Sequence, residues 1–176
     1  MSGLSFPGVC NGVDLDSDFM TKMAKKHKNI VGVKLTCASV AKIARLSAVF
    51  SNSEFAIFGG QSDFLVGGLA SGSAGCIAAF ANPFPKTIRH IYDLYTQGKH
   101  DEAMKIHRTA ALAESCCKAG IANVKYAATL TSAKSAGVEN AEEKMRPRRP
   151  YEPASEQVKK DVRQSLEEIM KIEASL

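Results

Sequence analysis

Three short apolar runs, each followed by a helical pattern, constrain this chain most. They are Ile30-Val31-Gly32-Val33-Lys34-Leu35-Thr36, Phe55-Ala56-Ile57-Phe58 and Ala74-Gly75-Cys76-Ile77-Ala78-Ala79-Phe80-Ala81. They begin about 20–25 residues apart, the spacing of βα units joined by short loops. Each run is apolar on both faces, as in a parallel sheet covered by helices. After the first, Ala38 to Phe50 repeats with helical period, placing Val40, Ile43, Ala44 and Ser47 on one face. Gly59-Gly60 closes the second run, and Ser62-Asp63 opens a short helix to about Ser71. After the third, Pro83 or Pro85 suits a first helical turn. Upstream, Asp14 to Lys28 reads as a helix capped by Asp14 or Asp16, with Leu15, Phe19, Met20 and Met23 inward.

The remainder is helical. Asp101 to Lys118 carries Ala103, Met104, Ile106, His107 and Ala110, and Ala122 to Ala136 follows, with Gly120 and Gly137 as stops. Glu143 to Pro153 holds three prolines and reads as a loop. Ser155 caps a last amphipathic helix reaching Glu173, with Val158, Val162, Leu166, Ile169 and Ile172 on one side. The expected fold class is therefore α/β, with about three βα units in residues 1–100 and a C-terminal helical region in 101–176. Such units fit part of a (β/α)₈ barrel or a small doubly wound sheet. A whole barrel takes about 250 residues, more than the 176 present.

Composition excludes several classes. Hydrophobic residues make up 45% and charged residues 23%, which is a globular balance. No apolar run is long enough to span a bilayer, so no membrane partner is expected. The first residues lack the basic start and apolar stretch of a signal peptide. The expected compartment is the cytoplasm, or the mitochondrion if a further N-terminal segment precedes Met1. The net charge of +5 gathers at Lys22, Lys25, Lys26 and Lys28 and at Arg146, Arg148 and Arg149. No aromatic residues interleave with these cations, so solvated surfaces are expected rather than nucleic-acid binding, along with some attraction for anionic substrates. Cys10, Cys37, Cys76, Cys116 and Cys117 show no metal spacing and read as free thiols. Cys116 and Cys117, adjacent on a helix, should point to different faces. No histidine has ligand spacing, so no metal is expected.

Lys34 is the odd residue. It sits near the C-terminal end of an apolar strand, the end at which parallel α/β folds bind ligands. Loss of hydration would favour its neutral amine, a nucleophile toward carbonyls. The alternative is a strand-end lysine that snorkels to water. Gly59-Gly60-Gln61-Ser62-Asp63 could aim backbone N–H groups at an anion, or could be a tight turn with Ser62 or Asp63 as cap. Gly72-Ser73-Ala74-Gly75-Cys76-Ile77 permits close backbone approach, either to a ligand or to a packed helix.

In order and spacing these segments resemble the dihydrodipicolinate synthase and N-acetylneuraminate lyase family. Val31-Gly32-Val33-Lys34 is similar to its strand-six segment with the imine-forming lysine. Phe58 to Asp63 is similar to the turn after strand seven, and Ala70 to Asn82 to strand eight. Phe6-Pro7-Gly8 resembles the residues past strand five, and Arg148-Arg149-Pro150 the C-terminal region. The resemblance implies the C-terminal part of a (β/α)₈ barrel, strands six to eight, with extra helices. It implies a class I lyase or aldolase in which Lys34 forms an imine with pyruvate or a pyruvate-yielding 2-oxo acid. Ile77, Gly59 and Gly60 would lie beside the substrate, no cofactor is needed, and a homo-oligomer is expected. Phe6 to Val9 and Asn11 to Leu15 lean toward 4-hydroxy-2-oxoglutarate aldolase-like or 2-keto-3-deoxy-sugar-acid aldolase-like members, with 4-hydroxy-tetrahydrodipicolinate synthase as a further alternative.

The chain departs from the family in two places. Leu4-Ser5 stands where the family has a proton-relaying tyrosine. The Gly-Thr-Thr-like segment that binds the pyruvate carboxylate belongs to an early strand outside these residues. A competing reading follows: a half-barrel with two open sheet edges acting as a structural or regulatory partner, or a truncated gene product.

Overall fold

The computed structural model describes the backbone of Ser2–Ser5 and all of residues 12–176. Phe6-Pro7-Gly8, Val9, Cys10 and Asn11, used in the reading above, lie outside the described residues. Two compact units form, Met1–Ala78 and Ala79–Leu176.

The first unit holds four parallel strands in the order β1 (Ser2–Ser5), β2 (Gly32–Leu35), β3 (Ala56–Gly59) and β4 (Gly75–Cys76). Helices α1 (Ser17–Lys26), α2 (Val40–Ser47) and α3 (Leu65–Ala70) connect them. β1 is an addition to the three expected strands. Glycine and serine are poor strand formers, so Ser2-Gly3-Leu4-Ser5 carries no local strand signal. Its pairing with β2, Ser2 to Gly32 through Ser5 to Leu35, makes the strand. The third run shrinks to Gly75–Cys76, and Ala79–Ala81 turns into 3₁₀ helix. Alanine has little strand preference, which accounts for the early end.

One face of β2 and β3 builds the core. Val33, Leu35 and Ile57 are buried there with Met20 and Ala24 of α1 and Ile43 and Leu46 of α2. Alternation along a strand sends Lys34 to the opposite face, where it is partly exposed. Gly32 lets the strands close up: a Cβ there would lie 2.5 Å from the Ala56 carbonyl oxygen. Asp16 caps α1 by accepting from the Phe19 N–H at 2.7 Å. Asp14 instead pairs with the buried ammonium of Lys42. Met20 and Ile43 face inward as expected, but the rest of the buried faces differ. Leu15, Phe19 and Val40 are exposed, whereas Ser17, Met20 and Ala24 of α1 and Lys42, Ile43 and Leu46 of α2 are buried.

The second unit comprises α4 (Pro85–Thr96), α5 (His100–Cys117), α6 (Ile121–Leu130), α7 (Ser132–Ser135), α8 (Ala141–Lys144) and α9 (Glu156–Ser175). Pro85 opens α4 as expected. The single helix expected over 122–136 divides at Thr131. The Thr131 hydroxyl donates to the Ala127 carbonyl at 3.1 Å, a back-bond of the kind that bends helices. α9 buries Val162, Leu166 and Ile169, and its Ser155 cap accepts from the Val158 N–H at 3.3 Å. α5 buries small residues, Ala103, Ala110, Ala113 and Cys117, and packs on both α4 and α9. Near the end of α9, the Glu173 carboxylate accepts from the Lys86 N–H (3.1 Å), the Thr87 N–H (2.8 Å) and the Thr87 hydroxyl (2.6 Å). It thereby caps α4 from the far end of the sequence. The thiols of Cys116 and Cys117 come within 3.9 Å of each other rather than parting to separate faces. Their hydrogen bond holds Cys116 below the ordinary thiol value. The same contact, with burial, pushes Cys117 upward.

Candidate active site

The C-terminal ends of β2, β3 and β4 carry all the residues singled out for chemistry. Lys34 is the third residue of β2, paired in register with Leu4 and Phe58. Register partners send their side chains to one face, so Lys34 and Phe58 share it, and both are partly exposed. The apolar neighbour comes from Phe58, a residue the sequence reading left inside the second strand.

Gly59 and Gly60 stand at the end of β3. The Gly60 N–H donates to the Leu35 carbonyl at 3.0 Å, and the Gly59 carbonyl accepts from the Ile77 N–H at 2.8 Å. These bonds tie Ile77 to Gly59, and Gly60 to the residue after Lys34. The first reading of the glycine turn, N–H groups free for an anion, therefore fails for Gly60, whose N–H belongs to the sheet. Its lack of a side chain has a different cause. A Cβ at Gly60 would sit 2.0 Å from the Thr36 hydroxyl oxygen and 2.3 Å from the Thr36 Cα. A Cβ at Gly59 would lie 2.9 Å from the Phe64 ring. The turn is built for backbone contact. Neither Ser62 nor Asp63 caps α3, whose N-cap is Phe64 without a side-chain bond.

Thr36, two residues beyond Lys34 in the turn after β2, was not singled out in the sequence. Its hydroxyl is buried without a hydrogen-bond partner among the described residues. The spacing Lys-x-Thr at a strand end was the available signal. Ile77 is 46% exposed just past β4, with its N–H occupied in the sheet. Together, an amine, a phenyl ring and backbone edges surround one end of a parallel sheet. That set can attack a carbonyl and shelter an apolar carbon chain. Among the described residues no three His, Cys, Asp or Glu side chains gather as a metal site.

Residues 5–169 match the dihydrodipicolinate synthetase family. The chain belongs to that family. A Coccidioides immitis protein, assigned by inference as a mitochondrial 4-hydroxy-2-oxoglutarate aldolase, is 64% identical over 172 residues, 98% of this chain and 55% of that protein. The L-threo-3-deoxy-hexylosonate aldolase of Hypocrea jecorina is 37% identical over 131 residues, 70% of this chain and 41% of the enzyme. Among solved structures, a dihydrodipicolinate synthase family protein from C. immitis superposes with a TM-score of 0.92 at 60% identity, covering 99% of this chain and 55% of that one. A prophage protein of the family from E. coli K12, solved with pyruvate, gives 0.81 at 22% identity over 96% of this chain and 55% of that one, a likeness of fold alone. The chain thus spans about half the length of the curated relatives it matches.

Proposed function

We propose that this family member acts in a Schiff-base aldolase on a pyruvate-yielding 2-oxo acid, with Lys34 as nucleophile. The observation that carries this reading is the placement of Lys34. It is a partly exposed amine at the C-terminal end of a parallel strand, on the face it shares with Phe58, in a chain of this family. The four strands correspond to the closing strands of a (β/α)₈ barrel, residues 1–100, with 101–176 as the appended helical region.

The Lys34 Nζ attacks the keto carbon, and the carbinolamine expels water to give an iminium. The positive nitrogen draws electrons from the bond between the two carbons beyond the imine carbon, leaving an enamine. In 4-hydroxy-2-oxoglutarate, loss of the C4 hydroxyl proton to a base then breaks the C3–C4 bond. Glyoxylate leaves, and the enamine takes a proton and is hydrolysed to pyruvate, freeing Lys34. Phe58 forms an apolar wall, while Gly59, Gly60 and Ile77 shape the backbone edge beside the substrate. Names of the relatives favour 4-hydroxy-2-oxoglutarate as substrate, with a 3-deoxy-hexulosonate as the nearest alternative. The chemistry asks nothing of a metal or organic cofactor.

Among the described residues, β1 and β4 each pair on one side only. Open edges invite pairing with another chain, so we extend the proposal to assembly with further copies or a longer paralogue. The C. immitis relative is named as mitochondrial, and we extend that compartment to this chain; cell fractionation decides between it and the cytosol. Incubation with pyruvate followed by borohydride reduction and peptide mass analysis tests the core of the proposal. An adduct on Lys34 is expected. A folded, unmodified chain would leave the structural-partner reading in its place.

A further inference from the structure

Two thiols adjacent in the chain stand at the end of α5. Cys116 and Cys117 are both free, Cys116 partly exposed and Cys117 only 4% exposed. Their sulfurs lie 3.9 Å apart. The aldolase chemistry makes no use of them. The two differ in their surroundings. The Cys117 thiol, and to a smaller degree the Ser165 hydroxyl of α9, hydrogen-bond the Cys116 sulfur and hold it below the ordinary thiol value. While reduced, that sulfur also rests on the Ala113 carbonyl at 3.2 Å. Cys117 is pushed the other way, first by the Cys116 contact and then by burial. One thiol thus meets solvent with donors that favour its thiolate, and the other stays protonated behind it. Thiolate character and exposure are what select a cysteine for oxidation.

Their place in the helix matters as much. Cys117 is the last residue of α5, and Lys118 to Gly120 turn toward α6. Few bonds finish the helix there. The Lys118 N–H donates to the Glu114 and Ser115 carbonyls, both at 3.2 Å, and the Gly120 N–H to the Cys117 carbonyl at 3.4 Å. Asn123 Nδ2 donates to the Cys116 carbonyl at 2.8 Å and so holds the peptide unit between the two cysteines. Adjacent Cα atoms are about 3.8 Å apart, whereas disulfides span roughly 4.4–6.8 Å. A bond between these sulfurs must therefore rotate that peptide unit and open the last turn. The strained ring it makes is readily reduced. At a helix end the distortion stays local; in mid-helix it would break hydrogen bonds on both sides.

We propose that Cys116 and Cys117 form a reversible oxidation site for hydroperoxides, with Cys116 as the attacking sulfur and Cys117 as the resolving one. Cys116 attacks the terminal oxygen of the peroxide. The O–O bond breaks, the sulfur gives two electrons to the peroxide, and an alcohol or water leaves as Cys116 becomes a sulfenic acid. The Cys117 sulfur then attacks the Cys116 sulfur. The S–O bond breaks, the Cys117 proton joins the departing hydroxyl as water, and the disulfide closes. Two thiols and one hydroperoxide give one disulfide, one alcohol or water, and one further water. A dithiol reductant reverses the change, and the last turn of α5 is open in the oxidised form and closed in the reduced one.

Trypsin, cutting after Arg108 and Lys118, isolates residues 109–118, whose cysteines are Cys116 and Cys117 only. The test treats the 176-residue chain with hydrogen peroxide, blocks the remaining thiols and weighs this peptide. A peptide lighter by two hydrogens, untouched by the blocking agent and restored by dithiothreitol, is expected. It should form several-fold faster than Cys37, another partly exposed thiol, is oxidised. Cys117→Ser keeps a donor to Cys116 but cannot close the disulfide, so dimedone should trap a Cys116 sulfenic acid in that variant. Cys116→Ser should remove the reaction. Protection of the Lys118 amide from exchange should be lost on oxidation and return on reduction. Lys34→Ala should change none of these, which separates this site from the aldolase proposal. Oxidation of Cys116 no faster than that of Cys37, dimedone trapping in the unaltered chain equal to that in Cys117→Ser, or a disulfide between two chains in place of the internal one would overturn the inference.

Discussion

In Met1–Ala78 the backbone itself sets the limits. Gly32 meets the Ala56 carbonyl, and Gly60 meets Thr36, at distances that no Cβ could occupy. In Ala79–Leu176 the limits lie in side chains. Val162, Leu166 and Ile169 are buried on α9, which packs against α5, and one carboxylate, Glu173, caps a helix many residues upstream. A parallel sheet brings strands together through backbone hydrogen bonds, so a close approach there cannot be widened locally. Helices pack through side chains, and their contacts grade with side-chain size. The first unit should therefore respond to substitution in an all-or-none way, and the second by degrees.

Replacing Lys34 by Ala offers the sharpest contrast. Adduct formation with pyruvate and borohydride should vanish while circular dichroism stays unchanged. Persistence of the adduct at another lysine would break the assignment. Gly60→Ala should cost more than about 3 kcal/mol, because backbone and not a flexible tip opposes the new methyl; urea denaturation reads this out. Leu166→Ala should cost about 3 kcal/mol from the cavity it leaves, without abolishing the fold, as a shifted denaturation midpoint at constant slope would show. Glu173→Ala should cost roughly 1–2 kcal/mol, the value of a lost helix cap with its charged acceptor. Enhanced amide exchange confined to the first turn of α4 would locate the loss. Gly120→Ala should cost at most about 1 kcal/mol, the difference between glycine and alanine at an N-cap, since among the described residues nothing stands within 4 Å of the added methyl. Were Gly120→Ala as damaging as Gly60→Ala, the distinction between the two units would fall.

Much of this could be read along the chain. Periodicity located β2, β3 and the helices with Asp16 and Ser155 caps, because those signals are local: a capping side chain reaches an N–H three residues away. The placement of Lys34 near a strand end was legible for the same reason. Other features were not. Ser2–Ser5 is a strand only because β2 lies alongside it, and Ala78 to Ala81 leaves strand geometry although the run is apolar throughout. The buried faces of α1 and α2 were legible only in part, at Met20 and Ile43, since two overlapping apolar stripes on a helix look alike until a sheet covers one of them.

The sequence by itself determined the order of alternating elements, the lone lysine in an apolar strand and the helical second region, since each follows from residue types at short spacing. Tertiary structure alone decided that Gly60 must be glycine because of Thr36, that Phe58 stands beside Lys34, that Glu173 caps α4, and that the Tyr126 hydroxyl is buried without a partner among the described residues. Each of these joins residues distant in the chain or turns on what surrounds a side chain, and a one-dimensional pattern carries no record of which surfaces meet.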